Sequence, residues 1–121
     1  MPENPPSIPE VNRLIHEPAR LAILTVLSAC SRADFAFLQS ATGLSKGNLS
    51  VQLTRLEEGN LIYVDKSIHH KKTRTTVEIS SRGRIQLIEY WQTMRKIQER
   101  GAIDGKRSPP RKRPWRYGEK T

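Results

Sequence analysis

The stretch that most constrains this chain is residues 38–62, LQSATGLSKGNLSVQLTRLEEGNLI, which reads as a short helix, a tight turn and a longer helix. Gly43 follows the apolar run Phe35, Phe37, Leu38, Ala41, where a helix C-terminus wants a residue free to take positive φ. Ser45 comes next as an N-cap, its hydroxyl placed to accept from an unpaired amide of the following turn. Leu49, Leu53 and Leu56 then recur at i, i+4 and i+7, on one helical face. The other positions carry Lys46, Gly47, Asn48, Ser50, Val51, Thr54 and Arg55, with Gln52 at the edge. An ordinary surface helix would be rich in Glu and Lys. This one offers small and hydrogen-bonding side chains, a face suited to a groove lined with base edges. A helical pair with a glycine turn is the helix-turn-helix pattern, and it is also a common core hairpin of all-α domains. The residues after the second helix decide between them.

Those residues form a basic hairpin. Ile62 and Val64, then Val77 and Ile79, alternate with polar residues in period two, as half-buried strands do. Between them lies KSIHHKKTRT, residues 66–75, a connection that reads as too long for a two-residue turn. Upstream, Val11, Leu14 and Ile15 suggest a short helix that Pro18 interrupts, and Pro18 then opens the next. In that next helix Leu21, Leu24, Thr25 and Ser28 share a face broadened by Ile23, Val26 and Leu27, and Cys30 and Ser31 end it. A short strand is expected over 33–35, a second helix from near Ala36, and a third from about Lys46 to Glu58, stopped by Gly59 and Asn60. Ser80 or Ser81 caps a last helix reaching about Gln98, with an apolar stripe of Ile85, Leu87, Ile88, Trp91, Met94 and Ile97. This order predicts a mainly α chain with a small β-hairpin (α+β): a winged helix-turn-helix with a long C-terminal helix.

Charge narrows the partners. The 121 residues carry 21 Lys and Arg against 12 Asp and Glu, a net charge of +9 that favours a polyanion. Residues 100–121 hold eight basic and two acidic residues, so they supply +6 of that total and the fold must argue for itself. Three segments are expected: a loose arm over 1–10 with four prolines, a domain over 11–99, and a disordered basic tail over 100–121. No apolar run approaches the ~20 residues of a membrane span, and residues 1–10 lack the pattern of a signal peptide. The single cysteine, Cys30, allows no internal disulfide and fits a reducing cytosol, where it is expected to be buried.

The segments HEPARLAIL (16–24), DFAFLQSATGLSKGNLSVQLTRLEEGNLI (34–62) and KTRTTVEISSRG (72–83) resemble the small winged-helix transcriptional regulators related to the MarR and ArsR families. The resemblance spans about residues 12–98. It implies a cytoplasmic, nucleoid-associated DNA-binding protein, often a homodimer, with 45–58 as recognition helix and 66–75 as wing. The recognition-helix candidates are then Ser45, Lys46, Asn48, Ser50, Val51, Gln52 and Arg55. The wing candidates are Lys66, His70, Lys71, Lys72 and Arg74, as phosphate contacts. For Arg55 the plain alternative is an i,i+3 pair with Glu58, worth only a few tenths of a kcal/mol. Ser50 and Gln52 have an alternative in local backbone bonds, and the wing in a merely solvated basic loop.

Leu14, Ile88, Trp91 and Met94 are the expected dimer seam, Trp91 with core burial as its alternative. His16, His69, His70 and Cys30 lack any chelating spacing, and no nucleophile–base pair, carboxylate pair or phosphate loop stands out. No enzyme, metal or cofactor is expected. Two other functions fit the same chain: a winged helix that docks a protein partner, and a basic RNA-associated protein.

Overall fold

The computed structural model describes residues 9–107, with side chains as far as Gly101. Four helices, α1 (Pro18–Cys30), α2 (Phe35–Thr42), α3 (Lys46–Glu58) and α4 (Ser81–Arg107), combine with strands β1 (Arg32–Asp34), β2 (Ile62–His69) and β3 (Lys72–Ile79). The strands form one antiparallel sheet in the order β1-β3-β2. This is the winged-helix fold with its long last helix.

Local chemistry fixes each boundary. Pro18 stands in the first turn of α1, capped by the Glu17 carboxylate on the Arg20 amide. Gly43 ends α2 in the left-handed region at φ 73°, as the turn required. The Ser45 hydroxyl accepts from the Asn48 amide at 3.1 Å and starts α3. Asn60, at φ 64°, makes the left-handed step after α3. Gly59 serves differently: a Cβ there would strike Leu14. At the root of α4, Ser80 donates to the Asn60 carbonyl (2.8 Å) and accepts from the Gly83 amide (2.9 Å). A side chain on Gly83 would collide with the Leu61 carbonyl and Ile79. One turn on, Arg84 donates to the Ser28 carbonyl and the Ser31 hydroxyl, covering the C-terminal end of α1.

Ile23, Leu24 and Leu27 of α1 close the core with Leu38, Leu49, Leu53, Leu56, Leu61, Ile62 and Val77. The inward face of α1 is Ala19, Ile23, Leu24 and Leu27; Thr25, expected inside, is exposed and bonds back to the Leu21 carbonyl. Four further expectations are corrected. Residues 11–15 form no helix, because Asn12 Oδ1 accepts from the amides of Leu14 and Ile15 and curls the segment into a turn. Cys30 is exposed, not buried, because it lies at the outer end of α1. The hairpin closes through a two-residue turn at His70 and Lys71, with His69 paired to Lys72. Both turn residues have positive φ, 51° and 65°, matching the strand twist at the cost of left-handed strain. Lastly, α4 runs on to Arg107, past the expected end near Gln98, so residues 100–107 are helical and 108–121 lie outside the described residues.

Candidate nucleic-acid interface

Helix α3 is seated by Leu49, Leu53 and Leu56, all buried. That seating turns Ser45, Lys46, Asn48, Ser50, Val51 and Arg55 outward together, all exposed. Six of the seven candidates on this helix are thus exposed to solvent. Arg55 makes no ion pair with Glu58, and its guanidinium has no hydrogen-bond partner among the described residues. Val51 is 52% exposed, an apolar spot among polar neighbours that can meet a thymine methyl.

Gln52 stands apart. It is half-buried, its Oε1 accepting from Arg20 Nη1 at 2.8 Å and its Nε2 donating to Asn48 Oδ1 at 2.9 Å. Arg20 also donates through Nε to the Leu14 carbonyl at 2.6 Å, which joins α1, the 12–15 turn and α3. No helical spacing points across the 32 residues between Arg20 and Gln52, so the sequence carried no signal for this contact.

The wing is a two-stranded ribbon whose residues from Lys66 to Arg74 are all exposed. Strand alternation puts Lys66 and Ile68 on the face that continues from Ile62 and Val64. Lys66 reaches a cleft of about 570 Å³ between wing and α3, whose opposite wall includes Lys46 and Ser50. Arg74 is not free: it forms an ion pair with Asp34 at 3.2 Å. Asp34 also caps α2 by accepting from the Phe37 amide at 2.8 Å. That amide first, then the Arg74 guanidinium, hold the Asp34 carboxyl below its ordinary value. Lys71 and His70 crown the tip, where the rings of His69 and His70 meet edge to face at 4.6 Å. Among the described residues no three His, Cys, Asp or Glu side chains group as metal ligands.

The four residues expected at a dimer seam divide. Ile88 and Trp91 are exposed, 59% and 47%, in line with Ile85 at 56%. Leu14 and Met94 instead pack against the domain's own core. The inward face of α4 is carried by Leu87 and by Tyr90, whose hydroxyl bonds His16 Nδ1 at 2.9 Å.

A helix with an exposed polar face, rooted in a small helical core and flanked by a basic wing, defines a winged-helix DNA-binding protein. The chain belongs to the winged helix DNA-binding domain family, which it matches over residues 19–98. It is similar to a transcriptional regulator homologue from Pyrococcus horikoshii OT3, with a TM-score of 0.66 at 28% identity over 77% of this chain and 87% of that one. A MarR-family regulator from Silicibacter pomeroyi shares the fold, with a TM-score of 0.56 at 22% identity over 73% of this chain and 58% of that one. An uncharacterized protein of Methanocaldococcus jannaschii is 27% identical over 78 residues, 64% of this chain and 85% of its own. The family is one of DNA-binding domains, and the similar chains from P. horikoshii and S. pomeroyi are described as a transcriptional regulator homologue and a transcriptional regulator. No helix among the described residues is long and apolar enough to cross a membrane.

Proposed function

We propose that this protein is a sequence-specific transcriptional regulator of double-stranded DNA, acting in the cytoplasm as a homodimer. The observation that carries the proposal is the outer face of α3: Asn48, Val51 and an unpaired Arg55 stand exposed together on a helix whose other side is locked into the core. Such a face fits the major groove, where every base pair shows a distinct pattern of donors and acceptors. Lys66, Lys71 and Lys72 of the wing then lie along phosphates and set affinity more than sequence. The eight basic residues of 100–121 add counterion release, acting on all duplexes alike. Ile85, Ile88 and Trp91 are an apolar outer line on α4 that a second copy covers, placing two recognition helices on half-sites about one helical turn apart.

Selection from a random duplex library tests the assignment, with random duplex and single-stranded RNA as controls. Arg55→Ala should relax one or two positions of the recovered motif, while Lys72→Ala keeps the motif and weakens all duplexes. A motif altered by Lys72→Ala and kept by Arg55→Ala would reverse the roles of helix and wing. For the dimer, sedimentation at tens of micromolar should show two copies, and Trp91→Glu should leave one.

A further inference from the structure

Arginine has only donors, and that simple fact fixes more than one side chain here. Arg20 Nη1 donates to Gln52, so the oxygen of the Gln52 amide faces α1 and its nitrogen faces Asn48. Gln52 Nε2 donates in turn, so Asn48 must present its oxygen inward. The Asn48 amide nitrogen is left pointing away from the network, on an exposed residue of the first turns of α3 and without a partner among the described residues. An isolated asparagine can rotate its amide to suit a donor or an acceptor. This one has its polarity set from the neighbouring helix α1, through Gln52.

We infer that Arg20 is a positioning residue for sequence recognition, acting through Gln52 to hold Asn48 as a hydrogen-bond donor to the DNA. The inference rests on α3 being the base-contacting element. The base opposite Asn48 is then one that offers an acceptor in the major groove: N7 or O6 of guanine, N7 of adenine, or O4 of thymine. Cytosine, which offers only its N4 donor there, is rejected at that position. Arg20 itself touches no base. Its second bond, to the Leu14 carbonyl, keeps the guanidinium from swinging out toward the phosphates.

The test is one selection from a random duplex library with four proteins: wild type, Arg20→Gln, Asn48→Asp and Arg55→Ala. Glutamine at 20 can turn either end of its amide to Gln52, so the polarity is released. The expected result is a loss of about tenfold in discrimination against cytosine at one position, the rest of the motif being kept. Asn48→Asp still accepts from Gln52 but has no donor to offer, and the same position should switch toward cytosine or the N6 amine of adenine. If Arg20→Gln weakens every position alike, or Arg55→Ala alters the motif while Arg20→Gln leaves it intact, the relay is wrong and α3 still reads bases. If none of the three variants changes the motif, α3 is not the reading element and the proposed function falls with the relay. Should Arg20→Gln fail to fold by circular dichroism, Asn48→Asp decides: an unswitched position overturns the inference.

Discussion

Helix α3 and the wing flank one cleft of the fold, but they are built on opposite principles. Every third or fourth residue of α3 is a buried leucine, and its Gln52 is tied to another helix. The wing beyond Lys66 buries nothing. Reading a base needs a side chain held to a fraction of an ångström, which takes a core and a network. Neutralising a phosphate needs a charge nearby, and a bare ribbon supplies that. Specificity is bought with burial, whereas affinity is not.

The largest expected effect probes that seating directly. Leu56→Ala, at a fully buried site, should cost ~2–5 kcal/mol of stability, while Ile68→Ala, 79% exposed on the wing, should change it by less than about 0.5 kcal/mol. Urea denaturation of the pair measures both, and equal losses would break the contrast. Next in size, Arg55→Ala should cost ~1–3 kcal/mol on the preferred site and little on random duplex. Lys72→Ala should weaken both nearly alike and lower the slope of log affinity against log salt by about one. Titrations between about 50 and 200 mM salt would show a sequence-dependent Lys72 effect if the wing reads bases.

A smaller effect concerns the wing tip. Lys71→Gly removes a side chain from the left-handed region at φ 65° and should raise stability by up to about 1 kcal/mol. A loss instead, in the same denaturation assay, would mean the tip is held by contacts of Lys71. The smallest effect comes from pH. Asp34 has a lowered carboxyl pKa, so its contribution is present above the unfolded value near 4 and is lost as pH falls through the lower folded value. Acid should therefore loosen the Asp34 contacts to Phe37 and Arg74 before it touches α3, whose anchors do not titrate. Chemical shifts of Phe37 and Arg74 that move no earlier than those of Leu53 would remove the distinction.

Legibility in the sequence divides along the same line. The bounds of α3 could be placed to the residue, because Ser45, the leucine repeat and Gly59 each leave a local mark. The core-side ends of the two strands were visible at Ile62 and Val64, where β2 begins, and at Val77 and Ile79, where β3 finishes, because one face is buried there. From Lys66 to Arg74 neither face is buried, so alternation vanishes and the two-residue turn could not be seen. In α4, Ile88 and Trp91 looked like one stripe with Leu87 and Met94. Helical rotation separates them: Leu87 and Tyr90 turn inward, Ile88 and Trp91 outward. The Arg20–Gln52 and Arg74–Asp34 contacts are tertiary, and no local pattern announces them.

The root of α4 has a mechanical consequence. Ser80, Gly83 and Arg84 clamp the helix within its first turn, through the Asn60 and Leu61 carbonyls and the end of α1. Beyond that clamp the helix continues to a total of 27 residues. At 1.5 Å per residue this is a rod of about 40 Å, and a tilt of about 5° at the clamp sweeps its far end through roughly 3.5 Å. The short arm of this lever is tied to the α3–β2 connection and to α1, and α1 carries the arginine bonded to Gln52 of α3. In a homodimer joined along α4, the pitch of that rod sets the distance between the two reading heads. On the proposed assembly, half-site spacing is tuned at Gly83 and Arg84, which belong to α4 and not to α3.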